Sequence, residues 1–135
     1  MSGNRLPKDP RLLPTEAQEQ ATLFSWAEMQ SGRRAELRLL FHIPNGGSRG
    51  KAEAARFKME GVKPGVPDLF LPVPRGPWHG LFIELKRQKG GRASGAQKEW
   101  IDALRGQGYM SAVVFGWEEA AELLEKYLDR REDEG

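Results

Sequence analysis

The chain contains no cysteine, which removes disulfides and thiolate metal sites together. Its only two histidines, His42 and His79, are too few to build a structural metal site alone. No apolar run approaches the ~20 residues of a membrane span. Residues 1–14 are polar and proline-bearing, without the apolar stretch of a secretory signal. The expected setting is the cytoplasm of a bacterial or phage-infected cell, with no membrane contact. A strong excess of one charge is also missing, for the net charge is only +2. Its distribution is uneven: residues 1–117 carry a net +7 and residues 118–135 a net −5. With 135 residues the chain suits one domain with a real core. We expect an N-terminal arm over residues 1–14, a folded domain over 15–128 and an acidic tail over 129–135.

Periodicity supplies the elements. Thr15 with Gln18 three residues on forms a capping box, opening a helix whose Leu23, Trp26 and Ala27 recur at helical spacing and which Gly32 ends. Residues 38–43 suit a strand, residues 44–51 a glycine-rich loop, and Ala52 to Met59 a short helix. Asp68 to Val73 and Leu81 to Lys86 are apolar runs separated by Pro74-Arg75-Gly76-Pro77-Trp78-His79-Gly80, so they predict a hairpin. Ser94 caps a helix bearing Trp100, Ile101 and Leu104, which Gly106 or Gly108 stops. Tyr109 to Phe115 predicts a buried strand, and Glu118 to Leu128 a final amphipathic helix presenting Ala121, Leu124, Tyr127 and Leu128. The order is helix, strand, helix, strand, strand, helix, strand, helix, which predicts an α/β fold with a mixed central sheet flanked by helices. The passage from Glu84 to Tyr109 suits a crossover between parallel strands.

The hairpin carries the chemistry. Alternation puts Leu81, Ile83 and Leu85 on one face of their strand and Phe82, Glu84 and Lys86 on the other, with Asp68 opening the neighbouring strand. Two carboxylates and an ammonium side by side can hold a hard cation and act on a phosphodiester. Mg²⁺ or Mn²⁺ takes one or two protein carboxylates and fills its shell with water and phosphate. Lys86 can position the attacking water or neutralise the transition state. An ion pair on a half-exposed strand is the plainer alternative. On such a solvent face, replacing Glu84 or Lys86 should disturb stability little.

Five segments, taken together, resemble the ordered motifs of VRR-NUC domain nucleases, a branch of the PD-(D/E)xK superfamily. They are His42-Ile43-Pro44-Asn45-Gly46-Gly47, Gly61 through Leu69, Ile83-Glu84-Leu85-Lys86, Ser94 through Trp100, and Gly106-Gln107-Gly108-Tyr109. The resemblance runs from about residue 16 to about residue 124. It implies a restriction-endonuclease-like core with Asp68, Glu84, Lys86 and Gln97 as catalytic residues. It implies Mg²⁺ or Mn²⁺ held by Asp68, Glu84 and Leu85 with an acidic residue of the first helix, Glu19, or Glu16 as the alternative. Glu16, in the first turn, is also explained by the helix dipole. Gln97 completes a capping box with Ser94, and one side-chain geometry is not expected to serve both the cap and the site.

Gly46 to Lys51 falls one residue short of a P-loop and lacks its Ser or Thr, so nucleotide hydrolysis is rejected. A glycine loop that approaches a DNA backbone fits better. His42, Asn45, Arg49, Lys51, Lys63, Arg87 and Lys89 are the expected DNA contacts, within a wider basic set that includes Arg33, Arg34 and Arg38. The resemblance implies a metal-dependent endonuclease acting on branched DNA such as a four-way junction, resolving it as a homodimer with two sites. Trp78 and Trp117 are candidate interface residues, unless they fold back on their own domain. The alternatives are a non-catalytic DNA-binding or assembly module and a restriction-type enzyme, though no separate region is left to read base sequence.

Overall fold

The computed structural model describes residues 12–44 and 50–131. Helix α1, Glu16–Gln30, starts at the expected capping box and is followed by a 3-10 helix, Ala35–Leu39, and a two-residue strand β1, Phe41–His42. Helix α2 spans Lys51–Met59, strands β2 and β3 span Leu69–Leu71 and Leu81–Lys86, and helix α3 spans Gly95–Gly106. Strand β4, Met110–Phe115, and helix α4, Trp117–Asp129, complete the order.

The sheet order is β1-β2-β3-β4, antiparallel across the first two pairs and parallel between β3 and β4. The mixed sheet and the crossover through α3 are as expected. On one face Leu69, Leu71, Leu81, Ile83 and Leu85 pack with Leu23 and Ala27 of α1 and with Ala120, Ala121, Leu124, Tyr127 and Leu128 of α4. That continuous apolar layer is the dominant favourable contribution to folding. Helix α3 lies against the other face, over β4.

Three expectations change here. Of the strand expected over residues 38–43 only Phe41–His42 forms, because Arg38 and Leu39 end the 3-10 helix, whose Leu37 and C-cap Leu40, three apart, both turn into the core while Arg38 and Leu39 stay exposed. The strand expected from Asp68 to Val73 keeps only its middle, since Pro72 offers no N–H to extend the ladder. The last strand is half-buried rather than buried. Leu13, at the end of the expected arm, is buried.

Several basic residues are tied into the fold. Arg33 pairs with Glu125 at 2.6 Å, and Arg34 pairs with Asp129. Arg75, in the hairpin turn, is buried and bonds Glu36 at 2.8 Å and the Leu128 carbonyl at 3.3 Å. Trp78 and Trp117 pack against the core of their own domain, the second of the two roles open to them. Among the described residues, no helix is long and apolar enough to cross a membrane.

Candidate metal and nuclease centre

The register determines what meets what. Leu69 stands opposite Ile83 and Phe70 opposite Phe82, so continuing the ladder brings Asp68 beside Glu84 on the face away from α1 and α4. The Asp68 carboxylate accepts the Leu85 backbone N–H at 3.1 Å. Further along, Pro67 would stand opposite Leu85, and a proline has no N–H for the Leu85 carbonyl. The Pro-Asp pair therefore ends the ladder, supplies a carboxylate and leaves a main-chain oxygen without its usual ladder donor.

Glu84 and Lys86 are not on a solvent face. Their exposures are 2% and 7%, with Gln97 in the first turn of α3 lying against Glu84 and the loop at Gly91 against Lys86. Lys86 Nζ lies 3.2 Å from Glu84 Oε2. Burial, and next the Asp68 charge, push the Glu84 carboxyl up to about 8, against the opposing pull of Lys86. Its other oxygen, Oε1, is buried with no hydrogen-bond partner. The expectation that these side chains contribute little to stability is corrected on this ground: a buried, partly satisfied ion pair is sensitive to the loss of either member.

Gln97 overturns another expectation. Its Oε1 accepts the Ser94 backbone N–H at 2.8 Å, and its backbone N–H reaches the Ser94 hydroxyl at 3.1 Å, so the capping box is complete. Its Nε2 simultaneously donates to Glu84 Oε2 at 2.9 Å. The two roles coexist because they use opposite ends of one amide. The partners also fix which end is which, since an N–H requires oxygen and a carboxylate requires a donor.

The approach of α3 depends on Gly65, whose backbone lies so close to Ala96 that an added Cβ would sit 2.7 Å from the Ala96 carbonyl carbon. Its φ of +90° is likewise one that side chains rarely adopt. The turn leading to Asp68 and the first turn bearing Gln97 are thereby held together. Gly91 closes in the same way on Lys86, with 2.9 Å between its added Cβ and that of the lysine. Sequence reasoning did not single out these two glycines. Their signal was the density of glycine on either side of β2 and β3.

Glu19 is fully buried, and its Oε1 accepts the Trp117 backbone N–H at 3.0 Å while Oε2 has no partner. Helix α4 begins after Gly116, which has no capping side chain, so Glu19 caps that helix from a distant part of the chain. Glu16 is exposed in the first turn of α1. Among the described residues, no group of three or more His, Asp or Glu side chains is arranged to hold a metal ion.

Of the expected DNA contacts, His42 is exposed with Nδ1 2.9 Å from the Asp68 carbonyl. A carbonyl only accepts, so Nδ1 donates, and Nε2 of the neutral ring is the acceptor. Lys51, Lys63 and Lys89 are exposed, Arg87 is half-buried, and Asn45 and Arg49 lie outside the described residues.

Comparison with known proteins places the fold in a family. The VRR-NUC domain family profile matches residues 14–117. A solved structure described as a VRR_NUC domain protein is 33% identical over 90% of this chain and 94% of its own, with a TM-score of 0.79. None of the curated proteins matched the chain. The family match and the shared mixed sheet define a nuclease-type α/β fold, and this chain belongs to the VRR-NUC domain family.

Proposed function

We propose that this protein is a metal-dependent endonuclease that hydrolyses phosphodiester bonds in DNA, acts on branched substrates such as a four-way junction, and works as a homodimer. The observation that carries the reading is the cluster of half-buried Asp68, buried Glu84 and Lys86 on one sheet face and half-buried Gln97 of α3 above them, with Glu84 Oε1 unpartnered. Two adjacent carboxylates, with the Asp68 charge raising the affinity of Glu84 for a proton, suit Mg²⁺ or Mn²⁺, whose charge would relieve that repulsion. Asp68 and Glu84 would hold the ion, with the Leu85 carbonyl as the neutral oxygen. Glu19, whose Oε1 caps α4, would have Oε2 to offer the ion. Bound there, the ion would lower the pKa of water and stabilise charge on the phosphate.

The chain's own groups do the rest. Lys86 presents its ammonium at the carboxylates, where it can orient the attacking water and offset negative charge on the phosphorane. Gln97 fixes the Glu84 carboxylate so that Oε2 is committed to two donors and Oε1 faces inward for the cation. His42 and the exposed Lys51, Lys63 and Lys89 approach the backbone of the substrate.

The test is incubation of the purified protein with labelled four-way junction, flap and linear duplex in Mg²⁺, Mn²⁺, Ca²⁺ or EDTA, with products mapped on every strand. Symmetric paired incisions in the junction with Mg²⁺ or Mn²⁺, binding without cutting in Ca²⁺, and no cutting in EDTA are expected. Undiminished cutting in EDTA would remove the metal. A single unpaired nick would remove the dimeric resolvase and leave the nuclease.

A further inference from the structure

The catalytic face continues into a row of aromatic rings. Phe70 and Phe82 are stacked with centroids 4.2 Å apart and ring planes 18° from parallel. Tyr109 meets Phe82 at 5.4 Å and 71°. At the other end Phe41 stands at 85° to Phe70, 5.8 Å away. The inner rings are half-buried against each other, whereas Phe41 is 46% exposed. Phe41 pairs with Phe70, so Asp68 is its diagonal neighbour across the β1/β2 pair, roughly 7–8 Å away. That is a span one nucleotide bridges between its phosphate and its base.

We propose that Phe41 is a stacking site for an unpaired nucleobase of the DNA substrate, one nucleotide from the phosphate that a cation at Asp68 and Glu84 would hold. The inference rests on the nuclease reading and deepens it by naming the substrate feature that is recognised. A paired base is already stacked in its duplex, and drawing it out is costly, whereas an unpaired base at a junction or flap is cheap to draw out. Size argues against a self-interface as the occupant. An aromatic side chain offers roughly 150–250 Å², so the open part of Phe41 is on the order of 100 Å², far below the ~800 Å² per partner of a stable interface. One planar ring matches it.

The experiment measures binding by anisotropy in Ca²⁺ at fixed salt, using flap DNA with an intact or an abasic nucleotide at the unpaired position beside the branch. Wild-type protein should prefer the intact base by roughly 5- to 150-fold, the range of one base–aromatic stack. Phe41→Leu, which keeps an apolar side chain without a π-face, should bring that ratio close to unity, and Phe41→Trp should keep it. Melting temperatures check that both variants fold. Equal wild-type affinity for intact and abasic DNA, an unchanged ratio in Phe41→Leu, or a shift from dimer to monomer in that variant by light scattering would each overturn the proposal. Cleavage is read separately, so a stacking preference in a protein that cuts nothing would sink the nuclease reading and leave this site standing.

Discussion

Helices α1 and α3 begin with the same four-residue device. In both, a hydroxyl at the N-cap and a glutamine three residues on exchange two hydrogen bonds, at 2.8 and 3.1 Å in each case. At α1 the glutamine is Gln18, an exposed side chain. At α3 it is Gln97, whose amide nitrogen continues to the buried carboxylate of Glu84. Local sequence makes the same cap twice. Only the packing of α3 over the sheet, through the close approach of Gly65 to Ala96, turns the second cap into part of a site. A capping motif is therefore a positioning device when its free end faces an unsatisfied group.

The sharpest break in that comparison comes from the ion pair that the α3 cap supports. Lys86→Ala should lower cleavage by at least about a hundredfold, as expected for loss of a group aimed at transition-state charge. Single-turnover rates at saturating metal check this. The two glutamines come next. Gln97→Ala should cost about 10- to 100-fold in activity or metal affinity, the usual effect of removing a group that orients a ligand, whereas Gln18→Ala should leave both unchanged. Equal activity in the two variants would dissolve the distinction.

Stability gives smaller effects. Gly65→Ala should destabilise the protein by about 1–3 kcal/mol through overpacking, and by more if the positive φ is kept. It should also lower activity by displacing α3, and denaturant melts beside cleavage assays would show both. Ser94→Ala and Thr15→Ala should each cost about 1 kcal/mol as lost caps, but only the former should slow cleavage.

The acidity of Glu84 adds a pH dependence that the α1 cap lacks. Its carboxyl is raised to about 8 in the folded protein from an ordinary 4.5, so the folded state binds this proton more tightly than the unfolded chain. The resulting stabilisation is fully present below about 4.5 and is lost as pH rises through about 8. The slope in between is at most about 1.4 kcal/mol per pH unit. Chemical denaturation of the metal-free protein across this window should show the decline, and Glu84→Gln should flatten it.

Much of this was legible in the sequence. The element order, the parallel crossover and the meeting of Asp68, Glu84 and Lys86 follow from alternation along short strands and from one hairpin. The exceptions share a cause: they depend on what covers a face, which a strand's own residues do not encode. Glu84 and Lys86 alternate as solvent-facing residues would, but the first turn of α3 and the loop before it close over them. Gln97 looked confined to one role because the local motif shows only one end of its amide. Arg33 and Arg34 resembled DNA-facing charge until α4 supplied Glu125 and Asp129. Glu19 had the composition of a metal ligand, and its bond to Trp117 emerges only from a contact across the whole chain.

The central claim is that Oε1 of Glu84, left without a partner while Gln97 and Lys86 hold Oε2, is a cation site for which a proton and a metal ion compete. Calorimetric titration of Mn²⁺ into the metal-free protein near pH 6.5, repeated in buffers of different ionisation enthalpy, tests this directly. The account predicts release of close to one proton per bound ion and affinity that rises with pH up to about 8, both abolished in Glu84→Gln and preserved in Gln18→Ala. Metal binding without proton release, or binding undiminished in Glu84→Gln, would contradict it.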